Sequence, residues 1–365
     1  MTPYPFDNMT MNGREITIQN IVNGSAAAAS DFEQKTFDFV SDWLSGRQSF
    51  DQKTSGSTGD PKQIAITRSQ MTASANMSIE ALNLKRGYNA LLCISPDYIG
   101  GKMMLVRSLI AGMKVIATTP SSNPFGALPQ NLTIDFAAMV PYQVHEIVRS
   151  STADRFHEVK KVIIGGASLD KDTEAKLQEY RCLFYSTYGM TETVSHIALR
   201  QLNGKGASDY YQALAGIKIS TDERNCLVIE WDQLPKRIIT NDIVEIVSKN
   251  TFRWIGRWDN VINSGGVKVI PEKVEKAIEK IFDTLKIPNA FFIGSVADEG
   301  LGSKVALFIE GGLEGELIET IKIRMADAIP KMEVPRQVIF IKSFDLTETG
   351  KVNRKATTKP YMGPL

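Results

Sequence analysis

Short apolar runs alternate with helical stretches through the middle of the chain, and this alternation constrains the fold more than any other feature. Strands are predicted at 90–95, 114–118, 135–139, 161–164 and 182–185, with helices between them at 102–112, 142–150 and 171–180. Strands that alternate with helices in this way build parallel β-α units. Two earlier helices are predicted at 31–44 and 68–84. The sequence therefore predicts an α/β large domain with sheets flanked by helices.

The pattern changes after Thr191, where short β runs and turns replace the alternation. Runs at 217–219, 226–230, 243–247 and 251–255 predict an antiparallel or barrel-like β patch. Beyond residue 256, helices and strands alternate over about a hundred residues, which is enough for a small separate domain. We predict a large N-terminal domain at 1–256 and a smaller α+β C-terminal domain at 257–365.

The charge balance gives no argument for binding nucleic acid or a membrane. Lys and Arg number 42, Asp and Glu number 41, and the net charge is +1, so any anion site must be local. The widely spaced cysteines and histidines favour buried thiols in a reducing compartment over disulfides or a metal centre. The N-terminus lacks a signal-peptide pattern, and no apolar run approaches the roughly 18 residues of a membrane helix. We expect a soluble, cytoplasmic protein.

A segment rich in glycine and hydroxyl groups lies near the N-terminus. Its glycines let the backbone approach an anion, its hydroxyls add donors and its lysine adds positive charge. These residues are Thr54, Ser55, Gly56, Ser57, Thr58, Gly59 and Lys62. They predict a phosphate cradle, although a polar surface turn has the same composition. The spacing of the glycines and Lys62 disfavours the Walker A loop of a P-loop NTPase.

Later segments carry other groups that suit a nucleotide. Tyr188 could stack on a base, Thr191 could bond phosphate and Glu192 could hold Mg²⁺ through oxygen. Asp242, at the entry of a strand, could accept both hydroxyls of a ribose. Taken alone, each segment also fits an ordinary turn or helix start. Lys351, in Thr-Gly-Lys after an apolar strand, is a candidate cation, whereas its neighbours Arg354 and Lys355 are expected to be solvated.

The order and spacing of these segments resemble the acyl- and aryl-adenylate-forming enzymes, the superfamily of acyl-CoA synthetases, peptide-synthetase adenylation domains and luciferase. The match extends over about residues 50–356. Besides the glycine-hydroxyl loop, the matching segments are Gly165-Gly166-Ala167, Tyr188-Gly189-Met190-Thr191-Glu192, Thr240-Asn241-Asp242, Gly256-Arg257-Trp258-Asp259 and Gly350-Lys351. Each follows the order usual in the superfamily.

The resemblance implies an AMP-forming acid–thiol ligase that uses ATP, Mg²⁺ and coenzyme A and passes through an acyl-adenylate. Lys351, Thr191 and Glu192 would be catalytic, with Glu192 also holding the metal. Asp259 would be the hinge of a mobile C-terminal domain. Nucleotide and coenzyme A would be bound by the cradle and by Gly166, Ala167, Tyr188, Gly189, Met190, Asp242, Arg257, Gly265 and Gly266.

Three local patterns resemble the o-succinylbenzoate–CoA ligases of menaquinone biosynthesis, a subgroup of this superfamily. They are Val-Pro-Tyr-Gln at 140–143, the stretch 188–197, and Asn-Ser-Gly-Gly at 263–266. The resemblance implies a small aromatic carboxylic acid as substrate, near Tyr142, Gln143 and His196. A histidine that merely packs beside the sheet is an equal alternative for His196. An enzyme that loads a carrier protein and a silent nucleotide-binding homologue also stay open.

The chain departs from the superfamily in three places. Its N-terminal region is shorter than usual, which leaves the early part of the sheet and a homodimer surface open. Lys62-Gln63 stands in place of Lys-Gly, and Asn241 stands in place of the glycine in Thr-Gly-Asp. The last two departures keep the charged and bonding side chains of Lys62 and Asp242.

Overall fold

The structure, a computed structural model, describes residues 5–53, 63–346 and 352–362. The chain divides into two compact units whose segments alternate along the sequence. Unit 1 comprises Met1–Ile219, Ile229–Ile238 and Ile246–Arg253, and unit 2 comprises Ser220–Val228, Ile239–Glu245 and Trp254–Leu365. None of the helices in the described ranges is long and apolar enough to cross a membrane.

Unit 1 is built on a mixed sheet. The strands within this unit are β1 (Asn8–Met11), β2 (Arg14–Thr17), β3 (Ser49–Lys53), β4 (Gln63–Thr67), β5 (Asn89–Leu92), β6 (Lys114–Ala117), β7 (Phe136–Met139), β8 (Lys161–Ile164), β9 (Leu183–Gly189), β10 (His196–Gln201) and β11 (Tyr211–Ala213). The next four strands have residues in both units: β12 (Lys218–Thr221), β13 (Cys226–Glu230), β14 (Ile238–Ser248) and β15 (Thr251–Arg257).

The centre of this sheet is parallel, as the alternation of strands and helices predicts. β1, β6, β5, β7, β8 and β9 are neighbours in that order, and every pair among them is parallel. β2 pairs antiparallel with β1 at the edge, so the short N-terminal region does supply the start of the sheet. β3 and β4 form a separate antiparallel hairpin.

The other end of the sheet in unit 1 is antiparallel. β10 pairs antiparallel with β9, β11 with β10, and Thr251 and Phe252 of β15 with β11. Thr251 and Phe252 belong to the predicted β patch, and their pairing with β11 is antiparallel. β9 extends beyond the predicted 182–185 because its last residues still pair with β10, up to Gly189 opposite His196.

Most helices described in unit 1 begin at a side chain that caps them. They are α1 (Ile18–Val22), α2 (Asp31–Leu44), α3 (Arg68–Ala81), α4 (Ile99–Ala111), α5 (Pro141–Ile147) and α6 (Lys171–Lys176). The Ser30 hydroxyl caps α2, and Thr67 and Gln70 form a reciprocal capping box on α3. α4 ends at Gly112 in the left-handed conformation. α5 packs Val144 and Ile147 into a core with Leu91, Val162 and Phe184 of the sheet.

The C-terminal part of unit 2 has its own core. Its strands are β16 (Ile262–Ser264), β17 (Val267–Val269), β18 (Phe291–Asp298), β19 (Gly302–Glu310) and β20 (Gln337–Ile341), and its helices are α7 (Pro271–Leu285), α8 (Gly315–Ala328) and α9 (Arg354–Thr358). β18, β19 and β20 form one sheet. α7 and α8 bury Ile278, Ile281 and Ile321 against Leu307 of β19. The predicted fold class, a large α/β part and a smaller α+β part, is confirmed.

Candidate active site

Three segments predicted to bind substrates lie at the same edge of the sheet in unit 1. Tyr142 and Gln143 follow β7, Gly165–Ala167 follow β8, and Tyr188 and Gly189 end β9. The three strands are parallel neighbours, with Met139 opposite Ile164 and Ile164 opposite Ser186. Ligands of open α/β sheets bind outside the carboxyl ends of the strands. The topology thus brings these segments to a position suited to a ligand.

The loop after β8 lies close against β9. The Thr187 hydroxyl donates to the carbonyl oxygen of Ile164 at 3.1 Å. A Cβ on Gly165 would lie 2.6 Å from that hydroxyl oxygen, and Gly166 has φ = +92°. Both positions therefore require glycine, the first for close approach and the second for its backbone conformation. Gly166 and Ala167 are held beside the strand that carries Tyr188.

The Tyr188 ring is fixed by two aromatic neighbours in unit 1. Its centroid lies 5.1 Å from that of Phe252 and 5.7 Å from that of Tyr211, with interplanar angles of 80° and 61°. Edge-to-face contacts of this kind stabilise an aromatic cluster beyond its burial alone. The half-buried ring is thus positioned in advance of any ligand.

A tight turn links β9 to β10 and carries Thr191 and Glu192. The Thr193 hydroxyl accepts from the backbone N–H of Met190 at 3.0 Å and lies 2.7 Å from the carbonyl oxygen of Ser195. Val194 has φ = 69° and ψ = −52°, and the N–H of Ser195 donates to the carbonyl of Thr193 at 2.8 Å. This is a γ-turn of the strained kind, centred on a buried β-branched residue. Such strain concentrates at functional sites.

The turn leaves no space beside Gly189. A Cβ there would lie 2.4 Å from the carbonyl oxygen of Ser195 and 2.5 Å from Cα of His196. Both are backbone atoms, so a side chain could be accommodated only by moving the strand. The glycine in Tyr-Gly-Met-Thr-Glu is therefore required for the turn itself.

Glu192 has the chemistry expected of a magnesium ligand. It is exposed, no hydrogen bond or ion pair to it occurs within the described ranges, and the buried Thr191 precedes it. No group of three or more His, Cys, Asp or Glu side chains there could hold a metal on its own. Mg²⁺ is commonly bound by one or two carboxylates together with substrate phosphates. The donor set fits that mode of binding.

His196 lies in a buried polar network instead of at an open surface. Its Nε2 lies 3.0 Å from the Ser78 hydroxyl, and its Nδ1 lies 3.4 Å from Nη2 of Arg107. Arg107 also donates to the Ser195 hydroxyl at 2.9 Å. Burial, together with the Arg107 charge, lowers the pKa of His196 well below its usual value. These contacts support the alternative that His196 packs beside the sheet. A contact between His196 and the substrate stays a prediction.

The two residues at the start of α5 differ in their surroundings. Tyr142 is 62% exposed. Gln143 is buried, and its amide donates to the carbonyl oxygens of Cys93 and Ser121 at 3.1 and 3.0 Å while accepting from the N–H of Val140 at 3.1 Å. Gln143 therefore ties together the chain segments that follow β5, β6 and β7. Tyr142 is the one of the two with an open ring.

In unit 2, Asp242 and Asp259 are joined through Arg257. Oδ1 of Asp242 lies 3.2 Å from Nε1 of Trp254 and 3.5 Å from Nη1 of Arg257. Nη2 of Arg257 donates to Oδ2 of Asp259 at 2.7 Å. The nearly buried Asp242 carboxylate is thus oriented by two donors, as an acceptor for a ribose would need to be. The structure brings the proposed ribose and hinge residues together.

Gly265 and Gly266 form the turn of the β16–β17 hairpin. Their φ values are +58° and +84°, the pair of left-handed conformations that a two-residue type I′ turn needs. A Cβ on Gly265 would lie 2.7 Å from Cδ2 of Leu301. These two glycines thus form a hairpin turn, which is compatible with a loop that approaches a ligand.

Of the two cations near Lys351 that were expected to be solvated, one is held in an ion pair instead. Arg354 was expected to be solvated, and this is wrong. Its guanidinium forms two hydrogen bonds with Glu275 of α7, at 2.7 and 2.9 Å, and Glu275 also accepts from the N–H of Ile293. The neighbouring Lys355 is exposed, as expected.

Two predicted groups lie outside the described residues. They are Lys351 and the phosphate cradle, which consists of Thr54, Ser55, Gly56, Ser57, Thr58, Gly59 and Lys62. The cradle is flanked by β3 and β4, whose last pair is Lys53 opposite Gln63. Lys351 is flanked by Leu346 and Val352, which form an antiparallel bridge.

Comparison with known proteins identifies the family. The family described as AMP-binding enzyme matches residues 52–225. An acyl-CoA synthetase (AMP-forming)/AMP-acid ligase II-like protein from Dyadobacter fermentans DSM 18053 is 39% identical, with a TM-score of 0.62, over 93% of this chain and 97% of that one. The chain belongs to the AMP-binding enzymes. The family predicted from the motifs is therefore confirmed.

Two further matches of this AMP-binding enzyme carry more specific names. A probable 2-succinylbenzoate–CoA ligase from Mycobacterium tuberculosis is 25% identical over 331 residues, which are 85% of this chain and 84% of that protein. An O-succinylbenzoate coenzyme A synthetase from Bacillus subtilis, in complex with ATP and magnesium ion, is 18% identical with a TM-score of 0.68, over 84% of this chain and 69% of that one. At 18% identity, the match to the Bacillus subtilis structure shows a shared fold.

Several residues of this AMP-binding enzyme escaped prediction from the sequence. Arg107 lies in an apolar helix 88 positions before Ser195, and only the tertiary structure brings the two residues together. The strained turn at Val194 follows from no residue type, because valine does not favour a positive φ. The partners of Asn241 likewise come from two other segments. No local signal could have identified these contacts.

Proposed function

We propose that this AMP-binding enzyme is an ATP-dependent carboxylate–CoA ligase whose acid is 2-succinylbenzoate. The products are 2-succinylbenzoyl-CoA, AMP and pyrophosphate. The observation that carries the proposal is the position of two patterns shared with o-succinylbenzoate–CoA ligases. Residues 140–143 follow β7, and residues 188–197 begin at the end of β9. These two strands flank β8, whose glycine loop lies between the two patterns at the same edge of the sheet. The names of the relatives support the same acid.

In the first half-reaction, a carboxylate oxygen attacks the α-phosphorus of ATP and pyrophosphate leaves. Two anions must approach each other, so the enzyme needs fixed positive charge and donors directed at the reacting groups. Lys351 neutralises the carboxylate and the α-phosphate, and the residues from Thr54 to Lys62 hold the β- and γ-phosphates. Glu192 would hold Mg²⁺, which would supply screening of the phosphate charge.

The predicted nucleotide-binding residues divide by the part of ATP that each would hold. Gly166, Ala167 and Tyr188 bound the adenine, since they lie together beyond the ends of β8 and β9. Asp242 accepts the ribose hydroxyls, and Arg257 assists it. Thr191, together with Gly189 and Met190, binds phosphate from the strained turn. Tyr142, Gln143 and His196 are assigned to the acid.

In the second half-reaction, the thiol of coenzyme A attacks the acyl carbon and AMP leaves. The domain 257–365 turns about Asp259 between the two steps, relative to the domain 1–256. Gly265 and Gly266 then line the path of the thiol. Both glycines are at the tip of a hairpin, where the backbone can approach a ligand closely.

A panel of acids tests the substrate. The enzyme is incubated with ATP, Mg²⁺ and coenzyme A together with 2-succinylbenzoate, benzoate, a dihydroxybenzoate or a fatty acid, and the products are identified by mass. A coenzyme A adduct of 2-succinylbenzoate is expected. An adduct of benzoate or of a fatty acid in its place would refute the acid, and transfer to a carrier protein but not to coenzyme A would refute the acceptor. Absence of pyrophosphate exchange with every acid would indicate a silent homologue.

A matched pair of lysine variants tests the catalytic assignment. K351A is expected to slow adenylation by at least about 100-fold, the scale of losing one electrostatic donor, while thioester formation from supplied adenylate survives. K355A removes an exposed lysine four positions away and should leave both steps unchanged. Equal losses in both half-reactions of K351A would contradict two separate orientations of the C-terminal domain.

The compartment and the oligomeric state complete the proposal. We assign the enzyme to the cytoplasm, which is supported by three cysteines that are free and buried. A homodimer is the proposed assembly, and light scattering that gives the mass of one chain would exclude it.

A further inference from the structure

Asn241 stands where the superfamily usually has glycine, and its side chain joins two charged residues in unit 2. Its Nδ2 donates to Oδ1 of Asp259 at 3.0 Å. Its Oδ1 accepts from Nη1 of Arg224 at 3.0 Å. Glycine has no side chain, so neither hydrogen bond can exist with the usual residue. The departure from the family thus adds a connection between two segments.

The carboxylate of Asp259 is held at both oxygens as a result. Asn241 bonds Oδ1, and Arg257 forms an ion pair with Oδ2 at 2.7 Å. Asp259 belongs to the short 3₁₀ turn Trp258–Asn260, which links β15 to the β16–β17 hairpin. A rotation of the backbone at Asp259 would move its carboxylate away from both partners. The Asn241 side chain can therefore restrain the backbone of the proposed hinge by holding the carboxylate of Asp259.

Arg224, which donates to Oδ1 of Asn241, is itself held in place by other contacts. Arg224 forms an ion pair with Asp222 at 2.8 Å, donates to the carbonyl of Thr240 at 3.3 Å, and places its guanidinium 5.5 Å from the Trp258 ring centroid. Lys268 lies 4.7 Å from the same centroid. Cations over a tryptophan ring are attracted by its quadrupole. Asn241 and Trp258, the residue before Asp259, thus both contact Arg224.

We propose that Asn241 is a positioning residue that latches the hinge at Asp259, and that it sets the balance between the two half-reactions. This inference rests on the proposed function, in which the domain 257–365 turns about Asp259. The latch stabilises the present arrangement of the hinge segment and opposes its rotation. An enzyme with glycine at this position lacks the restraint.

Three variants separate the latch from other effects of substitution. N241G restores the usual residue and removes both arms. N241D keeps the size and can still accept from Arg224, but it cannot donate to Asp259 and repels it. N250G, the control, removes an exposed asparagine from the turn between β14 and β15, away from the latch. Glycine can weaken a strand by itself, so an effect of N241G alone would be ambiguous. N241D removes the hydrogen bond to Asp259 without introducing glycine.

Two measurements are made on each full-length variant. The first is the rate of tryptic cleavage after Arg257, which requires local opening of the hinge segment. The second is the ratio of pyrophosphate exchange to thioester formation from supplied adenylate. For N241G and N241D we expect cleavage to quicken and the ratio to shift by about fivefold, equivalent to about 1 kcal/mol. N250G should stay within about twofold of the parent in both.

An unchanged ratio in N241D and N241G would overturn the proposal, even if cleavage quickens. Equal slowing of both half-reactions, without a change in cleavage, would also overturn it, because it would indicate a loss of nucleotide binding. If the parent enzyme forms no thioester at all, the proposed function fails. In that case equal cleavage rates of the parent and N241D would reject the latch, and faster cleavage of N241D would support it.

Discussion

Replacing Arg107 by methionine tests whether a buried cation can serve function at the expense of stability. Arg107 is 1% exposed, and within the described ranges no carboxylate pairs with it and its Nε has no partner. Its bonds are to the Ser195 hydroxyl at 2.9 Å and, more weakly, to Nδ1 of His196 at 3.4 Å. Methionine has a similar shape without the charge.

The stability change follows from two opposing contributions. Burial lowers the pKa of Arg107 from about 12.5 to about 10. At neutral pH, folding therefore disfavours the charged form by about 3 kcal/mol. Loss of the Ser195 bond costs about 1.5–3 kcal/mol, because the donor is charged. We therefore expect R107M to be as stable as the parent or up to about 2 kcal/mol more stable.

The same variant should lose function. Without Arg107, the Ser195 hydroxyl directly after the strained turn at Val194 loses the hydrogen bond that fixes it. The acid is proposed to bind beside this segment, so KM for the acid should rise about tenfold, the effect of about 1.4 kcal/mol, whereas KM for ATP should change little. Steady-state kinetics with each substrate varied in turn give both values.

A paired arginine provides the control. Arg200 forms an ion pair with Glu174 at 2.9 Å, and both side chains are largely buried. R200M leaves that carboxylate without its partner, so it should lose at least about 1 kcal/mol in urea unfolding. The reasoning about Arg107 is refuted if R107M loses more than about 2 kcal/mol in the same experiment, or if its KM for the acid is unchanged.

Three further outcomes are expected. His196 is neutral in the folded protein because its pKa is lowered, whereas in the unfolded chain it gains a proton below about pH 6.5. The free energy of unfolding should therefore fall by up to about 1.4 kcal/mol per pH unit below that point. H196Q should remove this pH dependence in urea unfolding between pH 7.5 and 5. G189A should destabilise by about 1–3 kcal/mol in thermal unfolding, because its Cβ meets backbone atoms of Ser195, and an unchanged midpoint would contradict this. R354M should lose about 3 kcal/mol by stranding the carboxylate of Glu275, and the added change E275Q should recover part of it; no recovery would mean that the ion pair is not the cause.

The order of elements could be predicted from the sequence because it depends on local patterns. The helix at 31–44 and the strand at 161–164 occur with the predicted bounds. Apolar periodicity and caps determine such elements, and both depend on residues that are only a few positions apart in the sequence. The bounds of β9 were predicted less well. Its last residues are strand only because β10 returns beside them, and that pairing is not visible in local periodicity.

Motifs predicted where the site lies but not how it is built. Tyr188, Glu192 and Asp242 were selected because their types and spacing suit a nucleotide. Tyr188 contacts Phe252, and Asp242 contacts Trp254 and Arg257; all three partners come from a later strand that pairing brings near. Arg354 was judged from the composition of its tail, and the prediction failed because Glu275 lies 79 positions earlier.

The sequence alone determined the family, the alternation of strands and helices and the residue types suited to a nucleotide, because each depends on neighbours within a short stretch. Only the tertiary structure decided which polar groups are anchored. Asn241 and Arg107 carry no signal of their own, since their partners lie 17 or more positions away. Hydrogen bonds and ion pairs form over about 3 Å, so a residue's role depends on which segments packing brings within that distance.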